Sequence, residues 1–367
     1  RDGGADYLEV VTAQTQARGL LAQSGASAII WGEYDAGRVR ANVTVPAGET
    51  QWINPVDSPA RLAVVINDAV PNAARMLALY ALGRLYQQEQ DWSPALRTFE
   101  KALALQPSDT GTQASLHFYI GTLLPKVQGL KAGVLTQAIE HFSAGLVYQP
   151  DWENLLYNRG TMYLGRGLLS LEDDADLAAA IADLTAVIER QPRRVDPLIN
   201  RGIAYYERNN ARDATAALAD FSHVIELAPN DYRGYYHRGL AKIRTGATDW
   251  PADLLAAAER HGADPAILNG LCWGYALDGK ADVALPYCEQ AVAGDPTGSS
   301  FDGRAMAYSQ LGRYDEAAAD LAAYLDWVGA ERPDLYTKLH GPEAEAWIAA
   351  LRQGQDPFTA PVRAALR

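Results

Sequence analysis

MLALYALGRLYQQEQDWSPALRTFEKALALQPSD, residues 76–109, carries small and aromatic residues at fixed intervals. Leu79, Leu82, Gly83 and Tyr86 stand at steps of three, one and three; Ala95, Phe99 and Ala102 follow at steps of four and three, and Pro107 closes the stretch. Steps of three and four place these residues on one face of each of two successive helices. Gly83 leaves room for the second helix to come close, Ala95 does the same from the other side, and Pro107 stops the second helix.

The order recurs along the chain. Gly121 leads to Ala138, Phe142, Gly145 and Pro150; Gly160 leads to Tyr163, Ala180, Leu184, Val187 and Pro192. Gly202 is followed by Tyr205, Ala217, Phe221, Val224 and Pro229, and Ala305 by Tyr308, Ala317, Leu321 and Tyr324. Only the length between the two halves varies. This pattern resembles the tetratricopeptide repeat, a helix–turn–helix unit of about 34 residues. Seven units are expected, opening near Met76, Ala114, Glu153, Val195, Tyr232, Pro265 and Gly298. The fold class expected is therefore mainly all-α: a right-handed α-solenoid of seven helix pairs, preceded by a small helix plus β-hairpin. Extra residues enter unit two near Lys126–Gly133 and unit three near Leu168–Leu177, and unit five departs from the pattern at Lys242 and Pro251.

The expected domains are an α/β fragment over 1–58, a linker over 59–75, the repeat array over 76–328 and capping helices over 329–367. Arrays of this kind need an end cap to cover the last apolar face. In the first segment, Asp6–Gln23 reads as an amphipathic helix. Ala26–Glu33 and Arg38–Val45 read as strands around a turn at Tyr34–Gly37. GASAIIWGEYDAGRVRANVTV looks like the helix-then-hairpin part of TolB-like N-terminal modules. A hairpin left with open edges invites another strand, which implies a missing upstream half or a homo-oligomeric contact.

Composition narrows the function. The 367 residues carry a net charge of −13, and no basic patch interrupts it, which argues against nucleic acid. No apolar run is long enough to span a bilayer. Arg1-Asp2-Gly3-Gly4 is not a signal peptide, so the chain reads as a mature or trimmed product. No nucleophile elbow, phosphate loop, HExxH, CxxC or dinucleotide fingerprint occurs, and the acidic run Glu172–Asp176 lacks the Gly and terminal Glu of a calcium loop. The expectation is a non-enzymatic scaffold without metal or cofactor, holding a protein or peptide partner in its concave groove. The alternative is a structural subunit of a larger assembly.

Three sets of residues follow from the repeat frame. Arg precedes the Gly position and faces the residue before the Phe position, which pairs Arg159 with Asp183, Arg201 with Asp220 and Arg304 with Asp320; Arg238 of unit five is expected to lack such a partner. Cys272 and Cys288, the two cysteines, occupy the contacting Gly and Phe positions of unit six, so a disulfide is expected, and with it an extracytoplasmic location rather than a cytoplasmic one. On the groove side the resemblance implies Tyr80, Phe118, Tyr157, Ile199 and Tyr236, then Asn269 and Asp302. Beside them stand Asn158, Asn200, Tyr206, Arg233, His237 and Trp273.

Overall fold

The computed structural model describes residues 29–35, 38–44, 51–52, 72–169, 174–208, 211–296, 298, 300–331, 333, 336 and 339–367. Ahead of the helices, β1 (Ile29–Asp35) pairs antiparallel with β2 (Arg38–Thr44), with Ile30 opposite Val43. A two-residue β3 (Gln51–Trp52) pairs with β2, so this sheet has a third strand that the alternation of residues 26–45 did not announce. A strand of two residues is too short to show a period of two. The helix expected over Asp6–Gln23 lies outside the described residues.

Sixteen helices follow among the described residues. They divide into two compact units, one ending at Arg166 and one beginning at Gly167. The first contains α1 (Asn72–Gln88), α2 (Trp92–Ala104), α3 (Thr110–Gln128), α4 (Ala132–Tyr148) and most of α5 (Glu153–Leu169). Helix α1 packs on α2, and α3 on α4. The extra residues of repeat two lengthen both of its helices: α3 has 19 residues against 17 in α1 and α4 has 17 against 13 in α2, and α3 runs through Pro125 and is closed by Gly129 with φ +81°. Glycine adopts that left-handed backbone without a Cβ penalty.

The second unit contains α6 (Asp174–Arg190), α7 (Val195–Arg208), α8 (Ala211–Leu227), α9 (Tyr232–Arg244), α10 (Trp250–His261), α11 (Pro265–Leu277) and α12 (Ala281–Gly294). It continues with α13 (Phe301–Gln310), α14 (Tyr314–Glu331), α15 (Gly341–Leu351) and α16 (Ala360–Ala365). Within it α7 pairs with α8, α9 with α10, α11 with α12 and α13 with α14, while the first helices α7, α9, α11 and α13 also touch in succession. That second set of contacts makes the first helices a layer of their own.

The small-to-large contact that defines each pair is tight. A Cβ added to Gly83 would lie 2.7 Å from the Phe99 ring, and one added to Gly202 would lie 2.6 Å from Phe221. Phe99, Phe142 and Phe221 are fully buried beneath these glycines. Repeat five reaches the same packing by another route. Leu254 stands at the Phe position against Gly239, and the fully buried Trp250 fills the space beside Gly274.

The C-terminal segment returns along α9, α11 and α13. Phe358 is buried against Trp347, Ser309 donates to Asp356 at 2.6 Å, and Arg367 pairs with Asp278 at 2.6 Å. Arg363 donates to the carbonyls of Leu277 and Phe358. The bond to Leu277, like the one Arg367 donates to the carbonyl of Ile243 at 3.3 Å, satisfies a carbonyl at the end of a first helix that has no partner within its own helix.

Candidate protein-binding face

The recurring Arg-Gly pair serves the fold. Arg201 makes a forked bond to Asp220, 2.9 and 2.7 Å, and Arg304 makes one to Asp320, 2.7 and 2.8 Å. The carboxylates hold both guanidinium groups in their charged form more firmly than usual. Arg238 was expected to stand alone. Instead it forks onto Asp253 at 2.9 and 2.7 Å, because α10 begins close after α9 and brings Asp253, the residue before Leu254, to the position Asp220 holds in repeat four. Arg159 belongs to the first unit and Asp183 to the second; within its own unit Arg159 donates to Ser143 at 3.3 Å. That bond belongs to a second feature, absent from the sequence reading. Arg201 also donates to Thr185 and Arg238 to Ser222, each a hydroxyl one residue after the Phe position of the preceding repeat. The Arg therefore ties its own pair of helices and the previous pair together. The signal was present in the sequence as a hydroxyl following Phe142, Leu184 and Phe221.

Cys272 and Cys288 are joined by a disulfide with Cα atoms 4.8 Å apart, and both are fully buried. The Gly and Phe positions that meet in other repeats hold the two sulfurs here, at a separation that suits a bridge.

A histidine pair replaces the Arg–Asp pair in repeat two, where Ile120 and His141 occupy its positions. His117 Nδ1 and His141 Nδ1 lie 3.0 Å apart, with ring centroids separated by 5.2 Å. Two rings whose nitrogens and centres have those separations point almost head-on at each other. The contact is therefore one shared N–H···N bond, whereas a chelated metal would need both lone pairs to converge off that line. Burial lowers the affinity of both rings for a proton, and His117 adds to the effect on His141, whose pKa falls to about 4. An unfolded histidine titrates near 6.5. Between those values the unfolded state binds the extra proton, so His141 contributes stability that is full above about pH 6.5 and is lost as pH falls toward 4. The expected loss in the first unit is about 2 kcal/mol once exposure of the ring is allowed for. Urea midpoints at pH 7 and pH 4.5 for the wild type and His141→Gln check this: the variant should show a clearly smaller drop.

The residues expected on the groove side have different fates. In the first unit Tyr80 is half-buried, edge-on to Phe99 and Tyr119. Phe118 sits between Phe142 and Trp152. Tyr157 is half-buried, and Asn158 donates to the carbonyl of Asn154 one turn back at 2.7 Å. In the second unit Ile199 is core: it is 3 % exposed and packs with Leu198 and Val224, since its aliphatic side chain fits the gap between α7 and α8. Arg233 is held by Asp231 and Asp196 at 2.6 and 3.0 Å, so its charge is already answered. His237 stacks on Phe221, and burial followed by the charge of Arg233 lowers its pKa to about 4, which keeps the imidazole neutral.

Asn200, Tyr206, Tyr236 and Trp273 remain half-buried on α7, α9 and α11. Arg244 lies over the Tyr206 ring and donates to its carbonyl. Burial raises the Tyr236 phenol to about 12, so it stays a neutral donor. The layer then changes character. Asn269 on α11 has a buried carboxamide oxygen without a hydrogen-bond donor, and burial raises the Asp302 carboxyl on α13 to about 6.

Comparison with known proteins agrees with this architecture. A family model described as tetratricopeptide repeat matches residues 76–109, and another of the same description matches residues 300–327. No curated protein matches the chain. Among solved structures, a tetratricopeptide repeat protein from Parabacteroides merdae is similar over 72% of this chain and 96% of its own, at 17% identity and a TM-score of 0.58. Weaker likenesses include MamA from Desulfovibrio magneticus (15% identity, 50% of this chain and 93% of that one, TM-score 0.43) and PilF from Pseudomonas aeruginosa (16%, 60% and 92%, 0.46). These comparisons lend no support to a TolB-like module in residues 1–58. The helix pairs share their fold with the Parabacteroides protein, and the chain carries tetratricopeptide repeats.

Proposed function

We propose that the first-helix layer of the second unit holds a peptide segment of a protein partner, and that the chain acts as a non-enzymatic adaptor. Tetratricopeptide repeats generally serve as protein-interaction scaffolds. The observation that carries the reading is that Tyr206, Tyr236 and Trp273, on three consecutive first helices, are each only half-buried. Aromatic anchors of this kind can each contribute about 2 kcal/mol or more to a hot spot. A peptide selected from a random displayed library against the purified chain tests it. Tyr236→Ala with Trp273→Ala should weaken that peptide more than tenfold while the melting temperature changes little. Lost stability with unchanged affinity makes these rings core and removes the proposal.

The disulfide supports placing the chain in an oxidising compartment, since buried structural disulfides persist there and are rare in the cytosol.

A further inference from the structure

Residues 356–367 cross three first helices in reverse chain order. Asp356 accepts from Ser309 on α13 at 2.6 Å. Arg363 donates to the carbonyl of Leu277 on α11 at 3.3 Å, and Arg367 to that of Ile243 on α9 at 3.3 Å. Arg367 also donates to Asp278 at 2.6 Å, whose other carboxylate oxygen accepts from the Trp250 indole at 3.3 Å. Phe358 anchors the segment: it is 1 % exposed, and its ring centroid lies 4.9 Å from that of Trp347. Val362 and Leu366 are half-buried against the same core cluster as Tyr236, Leu240 and Trp273 of the proposed binding face.

The repeats explain why a segment is held there. Tyr206, Ile243 and Ala276 each stand four residues after the Gly position of their repeat. The residue five after the Gly position of the next repeat answers two of their carbonyls. Arg244 donates to that of Tyr206, and Gln310 to that of Ala276 at 2.9 Å. For Ile243 the corresponding residue is Leu277, whose side chain has no donor, and Arg367 supplies the bond instead. A contact made elsewhere between neighbouring repeats is thus left to an added segment. That segment has a free joint. Of residues 352–367 only Phe358 is buried, and residues 352–355 are exposed and turn at Gly354 with φ +70°.

We propose that residues 356–367 are an exchangeable occupant of the first-helix layer, an autoinhibitory contact that the partner segment replaces. The proposal rests on the peptide-binding role and adds its regulation and the chemistry of the ligand. That ligand carries an aromatic side chain for the Phe358 site and basic residues five and nine positions further on, for the Leu277 and Ile243 carbonyls and for Asp278. Charge-assisted bonds to such acceptors are the stronger kind. Tethering gives the built-in segment a high effective concentration, so a free segment binds weakly until the tether is cut or the segment released.

The test uses the full chain with a protease recognition sequence inserted after Gly354 and cut while folded. An exposed joint of this kind tolerates insertion. The probe is a fluorescent peptide of residues 355–367. It should displace the cut segment saturably, and the uncut chain should take it up at least tenfold more weakly. Arg363→Gln with Arg367→Gln in the probe should weaken it at least tenfold, as should Phe358→Ala. These substitutions sit in the probe and leave the chain's own fold untouched. The proposal is overturned if a large excess of probe leaves the cut segment in place, or if the substituted probes bind as well as the original. It is also overturned if cutting unfolds the chain by circular dichroism, since the segment is then core. Hydrogen exchange of the uncut chain with the library-selected peptide separates the two readings. Faster exchange in residues 356–367 supports displacement. Peptide binding with unchanged exchange there leaves the binding face standing and removes the autoinhibition.

Discussion

Arg201→Leu should destabilise the second unit by about 3–5 kcal/mol, because it strands a buried carboxylate. Asp220 is 5 % exposed, and both its oxygens are bonded to Arg201. The substitution also removes the bond to Thr185 that ties the preceding helix α6 to α7. Pairing alone is not the reason for so large an effect. An ion pair transferred from water into the protein gains little net energy, and the cost arises when one member is left behind. The double variant Arg201→Leu with Asp220→Leu should therefore recover much of the loss. Lys242 and Asp249 supply the contrast: that carboxylate is 68% exposed, and Asp249→Asn should cost less than about 1 kcal/mol. Urea unfolding followed by circular dichroism measures all three. Equal effects for Arg201→Leu and Asp249→Asn would show that the Arg–Asp pair is a solvated contact.

Breaking the Cys272–Cys288 bridge is the second large effect expected. The loop spans 16 residues, for which the chain-entropy account gives about 3 kcal/mol. Both sulfurs are fully buried in the core that contains Leu271, Met306 and Leu321, so a reductant should act only when the repeat opens. Melting should be unchanged by brief exposure to reductant at low temperature and lowered after unfolding and refolding in it. Cys272→Ala with Cys288→Ala should lose the same amount plus a contribution from the space left empty. Cys272→Gly with Cys288→Phe restores the pair of residues used in other repeats and should recover part of the loss. Two free thiols in the unreduced, unfolded protein would contradict the bridge.

Residues 76–109 show why so much of the helical array was legible. Gly83, Ala95 and Phe99 meet because of spacing within a helix and a short turn between helices, and both are local properties. The same logic reached Cys272 and Cys288 and the forked pair of Arg201 with Asp220. Repeat five departs from it for a local reason: Pro251 and a shorter connection shift the register, which hides the Asp–Leu pair at 253–254 as the counterpart of Asp220–Phe221.

Other outcomes depended on groups far apart in the chain. His117 and His141 are 24 residues apart, and only the packing of α3 on α4 turns two scattered histidines into one hydrogen bond. Arg233 looked available until α7 brought Asp196 beside it, 37 residues away. Ile199 and Tyr236 hold equivalent positions, yet one is core and the other half-open, because coverage is set by the neighbouring helix and not by the residue's own helix. By itself, then, the sequence determined the helix pairs, the close glycine contacts and the bridge, all products of short-range periodicity. The tertiary structure alone decided which polar groups on the first-helix layer are answered and which, like the Asn269 carboxamide oxygen, are not, since desolvation and partner supply come from atoms that periodicity cannot locate.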